Sequence, residues 1–175
     1  MTHRVCIIGH SNVPKFIENI PDISLKIYRK PGAIVPDAYL EPLCSSFDFR
    51  PHLTIIYFGG NDLISCLGPE VLDRILKLVK EFKKYGDVLV VNIEPREYAK
   101  NNRFGANNED YKSRARYVNR YLNKLRNRRG YGLINLTSNI FVNHRSADGV
   151  HFTEIGSSMI AAKIRNSIVY WLRDK

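Results

Sequence analysis

The sequence predicts an α/β domain in which a parallel β-sheet is covered by helices on both faces. Three observations lead there. Short apolar runs rich in β-branched residues recur along the chain, as buried parallel strands do. Each run stops at a loop marked by glycine or proline. Between the later runs lie segments with apolar residues at helical spacing, the crossovers that parallel neighbours require.

The first strand is expected at Arg4–Ile8, punctuated by Gly9-His10-Ser11. A second apolar segment, Ser24–Tyr28, stops at Lys30-Pro31-Gly32. Asp37–Cys44 is assigned a short helix. Leu53–Phe58 is apolar almost throughout and halts at Gly59-Gly60-Asn61-Asp62, so it forms the third strand. In Pro69–Tyr85, Val71, Leu72, Ile75, Leu78, Val79 and Phe82 make one apolar stripe among lysines, an amphipathic helix ended by Gly86. Val88–Ile93 is the fourth strand, ending at Glu94-Pro95. The polar, glycine-punctuated Arg96–Asn108 stretch reads as a long exposed loop. Glu109–Arg129 is a second long helix with Ala115, Val118, Leu122 and Leu125 on one face, stopped by Gly130. Leu133–Leu136 follows as the fifth strand. A last helix runs from Thr153, its expected N-cap, to about Trp171.

Composition bounds the rest. With 44% hydrophobic and 25% charged residues, the 175-residue chain is globular rather than disordered or collagen-like, and one domain spanning residues 1–175 is expected. Its apolar runs fall well short of the roughly 20 residues that cross a bilayer. The run at Val5–Ile8 is too short for the core of a secretion signal, so an intracellular, cytoplasmic protein is expected. Cys6, Cys44 and Cys66 are odd in number and lack CxxC spacing, which argues against a disulfide framework or a zinc knuckle and for reduced, mostly buried thiols. His144, four residues before Asp148, could compete as a base or suggest a metal pair, but metal sites converge several ligands and His3, His10 and His52 show no such spacing, so neither metal nor cofactor is expected. Lysine and arginine total 27 against 17 acidic residues, a net charge of +10 that attracts polyanions.

In open parallel sheets ligands bind at the carboxyl ends of the strands, where strand order reverses. The loops there carry a coherent chemistry. A serine hydroxyl becomes a nucleophile when a base takes its proton, a third group orients the base and donors meet the developing oxyanion. Ser11 follows the first strand, in a turn that would leave its hydroxyl and its backbone N–H free. Asp148 and His151 lie three apart just ahead of the last helix, so one turn can set carboxylate beside imidazole. Gly32 can present a backbone N–H and Asn61 a side-chain amide; with Ser11 they would form a three-donor oxyanion hole. Asp62 reads as a structural residue bonding loop amides.

These blocks resemble those of the SGNH or GDSL-type hydrolases, named for a serine, a glycine, an asparagine and a histidine in separate motifs. Here they are Ile8-Gly9-His10-Ser11, Gly32, Gly59-Gly60-Asn61-Asp62 and Asp148-Gly149-Val150-His151, in family order over nearly the whole chain. The resemblance implies a flavodoxin-like three-layer α/β/α sandwich with a five-stranded parallel sheet. It also implies a serine esterase acting on carboxylic esters, acetyl or lipid-type, through an acyl-serine intermediate. Ser11 would be nucleophile, His151 base, Asp148 orienter, and Ser11, Gly32 and Asn61 oxyanion donors. One departure stands out: His10 replaces the aspartate usual before the serine. With the basic composition, Gly-His-Ser is similar to the esterase domain encoded in the first open reading frame of CR1/L2-type LINE retrotransposons. That likeness implies a nucleic-acid-associated protein that self-associates through regions outside this domain.

The Glu109–Arg129 helix carries Lys112, Arg114, Arg116, Arg120, Lys124, Arg126, Arg128 and Arg129, with Tyr111, Tyr117 and Tyr121 interleaved and no acid after Asp110. A solvated helix face is the usual meaning of such a run. The excess also suits sequence-independent contact with the phosphates of RNA or single-stranded DNA. An alternative function is therefore a nucleic-acid-binding module on an esterase-like scaffold. Membrane-surface contact has no support in the sequence.

Overall fold

A computed structural model describes residues 1–39, 48–98, 100, 102–136 and 143–175. Its sheet has five parallel strands: β1 (His3–Gly9), β2 (Ile23–Arg29), β3 (Leu53–Tyr57), β4 (Asp87–Val91) and β5 (Gly132–Ile134). Their order is β2-β1-β3-β4-β5. The register sets Val5 between Leu25 and Leu53, and Leu53 opposite Asp87. The long helices among the described residues are α1 (Gly68–Phe82), α2 (Asn108–Arg129) and α3 (Glu154–Leu172). Among the described residues, no helix is long and apolar enough to cross a membrane.

Side chains alternate across a strand, so each strand feeds two cores. Cys6, Ile8, Ile56, Val88 and Val90 face the side covered by α1 and α2, where Ile75, Leu78, Val118 and Leu122 are buried. Val5, Ile7, Leu53, Ile55, Tyr57 and Val91 face the side covered by Ile160, Ile164 and Ile168 of α3 and by Val13, Ile17 and Ile20. The result is the expected three-layer sandwich. Thr153 caps α3 by accepting from the Gly156 N–H at 3.2 Å, and Gly130 ends α2 in a left-handed conformation.

Differences from the sequence expectation have local causes. Helix α1 stops at Phe82 rather than Tyr85. The Asp87 N–H donates to the His52 carbonyl at 2.9 Å, so the chain must already be turning before Gly86 to lay β4 beside β3. In place of the start of the Asp37–Cys44 helix there is a 3-10 helix, Val35–Tyr39, and the remainder of that segment lies outside the described residues. The loop from Arg96 is not exposed at its start: Arg96 and Tyr98 are buried, because the guanidinium finds polar partners inside the fold. Cys6 is buried and Cys66 partly so, both free, and burial pushes the Cys6 thiol up to about 12, which leaves it inert. Cys44 lies outside the described residues.

From β1 the chain crosses first to β2 on one side, and β3 then pairs on the other. That reversal puts the switch point of the strand order at the carboxyl end of β1, beside Ser11.

Candidate active site

Ser11 occupies a turn closed by the Val13 N–H donating to the His10 carbonyl at 3.1 Å. Arg29, the last residue of β2, braces it: Nη2 donates to the Ser11 carbonyl at 2.7 Å and Nε to that of Val13 at 2.9 Å. His10 points inward and is fully buried. Its Nδ1 accepts the Asn12 N–H at 3.2 Å. Burial drives the imidazole down to about 4, only partly offset by Glu94, so at neutral pH it is uncharged and its proton sits on Nε2. The residue in place of the usual aspartate thus braces the Ser11 turn from within the fold.

The segment ahead of α3 comes to the same place. Asp148-Gly149-Val150-His151 forms a tight loop in which Asp148 Oδ1 accepts the N–H groups of Val150 at 2.9 Å and His151 at 3.0 Å. Gly149 has φ +69°, and a Cβ there would lie 1.6 Å from the Glu97 carbonyl oxygen, so only glycine fits between the acid and the histidine. Asp148 Oδ2 lies 2.6 Å from His151 Nδ1, and His151 Nε2 lies 3.0 Å from Ser11 Oγ. Desolvation works against ionising Asp148, but the hydrogen bonds from the His151 ring and from the two N–H groups prevail and hold its carboxyl at about 2. A hydroxyl, an imidazole and a carboxylate therefore stand in line. In that order the imidazole can accept the hydroxyl proton while the carboxylate fixes its tautomer.

The oxyanion candidates lie on two neighbouring loops. Gly32, at φ +72°, follows β2 in an exposed turn tied to β1 through the Lys30 N–H and the Gly9 carbonyl at 3.1 Å. Asn61 Nδ2 donates to the Ala33 carbonyl at 2.9 Å, which joins the Asn61 loop to the Gly32 loop. Among the described residues, the N–H groups of Ser11 and Gly32 donate to no other group. Asp62 is buried and accepts the Val35 N–H with both oxygens at 3.1 Å, and Arg74 Nη1 lies 3.3 Å from it.

Three residues that sequence reasoning passed over sit directly behind this site: Asn12, Glu94 and Arg96, all buried. Asn12 Nδ2 donates to Glu94 Oε1 at 2.8 Å and to the Val150 carbonyl at 3.1 Å. Arg96 Nη2 donates to Glu94 Oε1 at 3.0 Å and its Nη1 to Asn61 Oδ1 at 2.9 Å. Burial opposes ionisation of Glu94, but the Arg96 charge and the nearby Arg145 overcome it and hold its carboxyl at about 2. The available signal was an acid and a base two residues apart, flanking a proline just past a strand end.

The eight cations of the basic helix divide. Lys112 lies 3.6 Å from Glu97 and 3.7 Å from Glu109. Arg114 Nη1 donates to the Leu63 carbonyl at 3.0 Å and lies 3.3 Å from that of Cys66. Arg116, Arg120, Lys124, Arg126, Arg128 and Arg129 are exposed, and none pairs with a carboxylate among the described residues. No group of histidine, cysteine or acidic side chains among the described residues could hold a metal ion.

A family model described as GDSL-like Lipase/Acylhydrolase matches residues 9–164. No curated protein matches the sequence. Solved structures align over nearly the full chain. A lipase/acylhydrolase from Enterococcus faecalis superposes with a TM-score of 0.75 at 13% identity, covering 95% of each chain. A lipolytic protein of the G-D-S-L family from Veillonella parvula gives 0.73 at 14%, covering 94% of this chain and 97% of the other. A carbohydrate esterase family 3 protein from Talaromyces cellulolyticus gives 0.74 at 12%, covering 99% and 100%. At such identities the likeness is one of fold.

Proposed function

Because the chain belongs to the GDSL-like lipase/acylhydrolase family, we propose that it is a serine carboxylic-ester hydrolase working through Ser11, His151 and Asp148. The observation that carries this is the line from Ser11 Oγ to His151 Nε2 (3.0 Å) and from His151 Nδ1 to Asp148 Oδ2 (2.6 Å), built from segments 140 residues apart.

Ser11 Oγ attacks the ester carbonyl as His151 Nε2 takes its proton. The carbonyl oxygen becomes an oxyanion received by the N–H groups of Ser11 and Gly32 and by Asn61 Nδ2. Collapse breaks the bond to the alcohol, which leaves with the proton from His151, and Ser11 carries the acyl group. Water then attacks the acyl-serine, giving its proton to His151; collapse breaks the bond to Ser11 Oγ, which takes that proton back, and the acid departs. Asp148 stays ionised throughout and stabilises the imidazolium. The purified protein is expected to hydrolyse short-chain p-nitrophenyl esters and to take a fluorophosphonate label on the peptide containing Ser11. Hydrolysis that persists in Ser11→Ala would refute the assignment.

A second reading concerns α2, where six exposed cations face solvent without a carboxylate partner among the described residues. It assigns them to the phosphates of RNA or single-stranded DNA, as in a nucleic-acid-associated protein that self-associates through regions outside this domain. Binding of a single-stranded RNA measured at two salt concentrations tests it; absent or salt-insensitive binding would dismiss it.

A further inference from the structure

An asparagine amide serves as an oxyanion donor only if its nitrogen end faces the reacting carbonyl, and nothing in a free side chain decides which end does. In this protein a buried cation decides. Arg96 is 2% exposed, and its guanidinium offers donors only. Nη1 stands 2.9 Å from Asn61 Oδ1, and Asn61 Nδ2 stands 2.9 Å from the Ala33 carbonyl. Turning the amide over would set N–H against N–H at one end and oxygen against oxygen at the other. One Nδ2 hydrogen is spent on Ala33, and the second remains for an oxyanion.

Arg96 is itself held on several sides. Its Nε and Nη2 donate to Glu94 Oε1 at 3.2 and 3.0 Å, and Nη1 also meets Tyr98 Oη at 3.1 Å. The same Glu94 oxygen accepts Asn12 Nδ2 from the residue following Ser11, and Asn12 reaches the Val150 carbonyl beside His151. One carboxylate oxygen thus ties together the loops of Ser11, His151 and Asn61. Gly60 leaves the room for this: a Cβ there would lie 2.4 Å from Arg96 Nη2 and 2.9 Å from its Cζ. A buried ion pair is a poor source of stability compared with apolar side chains of the same volume, so stability alone does not account for the pair.

We propose that Glu94 and Arg96 are positioning residues for the reaction: Arg96 sets the Asn61 amide nitrogen toward the oxyanion, and Glu94 anchors that guanidinium to the turn bearing Ser11. The inference rests on the esterase reading above. It says that the orientation of one oxyanion donor is fixed from behind, by a residue that touches no substrate.

The test is a kinetic cycle on a short-chain p-nitrophenyl ester with Asn61→Ala, Arg96→Met and the double variant. Asn61→Ala is expected to lower kcat by about 10²- to 10³-fold. Arg96→Met should lower kcat by about 10- to 100-fold with KM within about threefold, because substrate binding does not use the donor. The double variant should be no slower than Asn61→Ala, since no amide remains to orient. Arg96→Lys, which restores a donor, should recover part of the loss. Gly60→Ala should reproduce the Arg96→Met defect with the guanidinium still present. Losses that multiply in the double variant would reduce Arg96 to a structural role and overturn the inference. Full turnover in Arg96→Met beside an impaired Asn61→Ala would remove it while leaving the esterase reading in place. Wild-type turnover in Asn61→Ala would remove the oxyanion assignment and this inference with it. If Arg96→Met fails to fold, the same cycle with Gly60→Ala decides; if neither folds, the pair is a folding element and the positioning role falls.

Discussion

At the carboxyl end of the sheet, Glu94 and Arg96 are 0% and 2% exposed and hydrogen-bonded to each other, to Asn12 and to Asn61. On the outer face of α2, Arg120, Arg126, Arg128 and Arg129 stand in solvent with no carboxylate partner among the described residues. The two regions carry charge under opposite rules. Inside, an unpaired ion costs several kcal/mol, so each charge is fixed by its partners and its geometry is specified. Outside, water and salt screen the charge, and what is left is a field without fixed geometry. The first arrangement suits chemistry at one atom, and the second suits a polyanion met in many poses. Changes in the interior region should therefore be large and non-additive, and changes on α2 small, additive and dependent on salt.

The largest effect is expected from Ser11→Ala or His151→Ala, each lowering kcat/KM by about 10⁴-fold or more while far-UV circular dichroism stays unchanged. A residual rate within tenfold of the parent would break the interior side of the comparison. Asp148→Asn should cost about 10²- to 10⁴-fold in kcat, because an amide can hold the imidazole but offers no charge to its protonated form; its pH–rate profile and turnover are the measurements.

His10 gives a smaller effect, in stability. Its ordinary value is 6.5 and in the fold it lies at about 4. Between those values the unfolded chain binds more protons, so stability is lost as pH falls from about 6.5 toward 4, by roughly 3 kcal/mol over the full window. Urea unfolding of the parent and of His10→Gln at pH 7 and pH 5 should show the dependence flattened in the variant. Equal slopes would mean that the imidazole is not held neutral. The smallest effects belong to α2: Arg120→Glu or Lys124→Glu should weaken single-stranded RNA binding only a few-fold each and lower the salt slope by about 0.7 to 1 for every phosphate the variant no longer neutralises. A weakening of tenfold or more from one such change would mean a specific contact, and the contrast between the regions would need redrawing.

Much of this was legible in the sequence because it depends on local pattern. The run at Leu53–Phe58 is a strand wherever it lies, and it forms β3 at Leu53–Tyr57. The stripe Val71, Leu72, Ile75, Leu78, Val79 and Phe82 could bury one face only as a helix, and all six are buried in α1. Asp148 and His151 could be paired because a three-residue separation lets one tight loop join them. Glu94 and Arg96 could not be read this way. Their meaning lies in Asn12, 82 residues from Glu94, and in Asn61, 35 residues from Arg96. Read locally, Glu94 ends a strand and Arg96 begins a long exposed loop. Lys112 and Arg114 likewise read with the other cations of α2, since contacts with the distant Glu97 side chain and the Leu63 and Cys66 carbonyls help to set them apart.

By itself the sequence determined the kinds and order of the strands and helices and the short motifs to which we assign the chemistry. Periodicity and turn residues act over a few positions, and that range is enough. Only the tertiary structure decided which polar groups meet: that Ser11 reaches His151, that Asn61 turns its oxygen to Arg96, and that a buried ion pair stands behind both loops. Those contacts join segments from tens to more than a hundred residues apart, and they exist because a parallel sheet brings the carboxyl ends of all its strands to one edge. Once there, the cost of burying an unpaired polar group selects the partner.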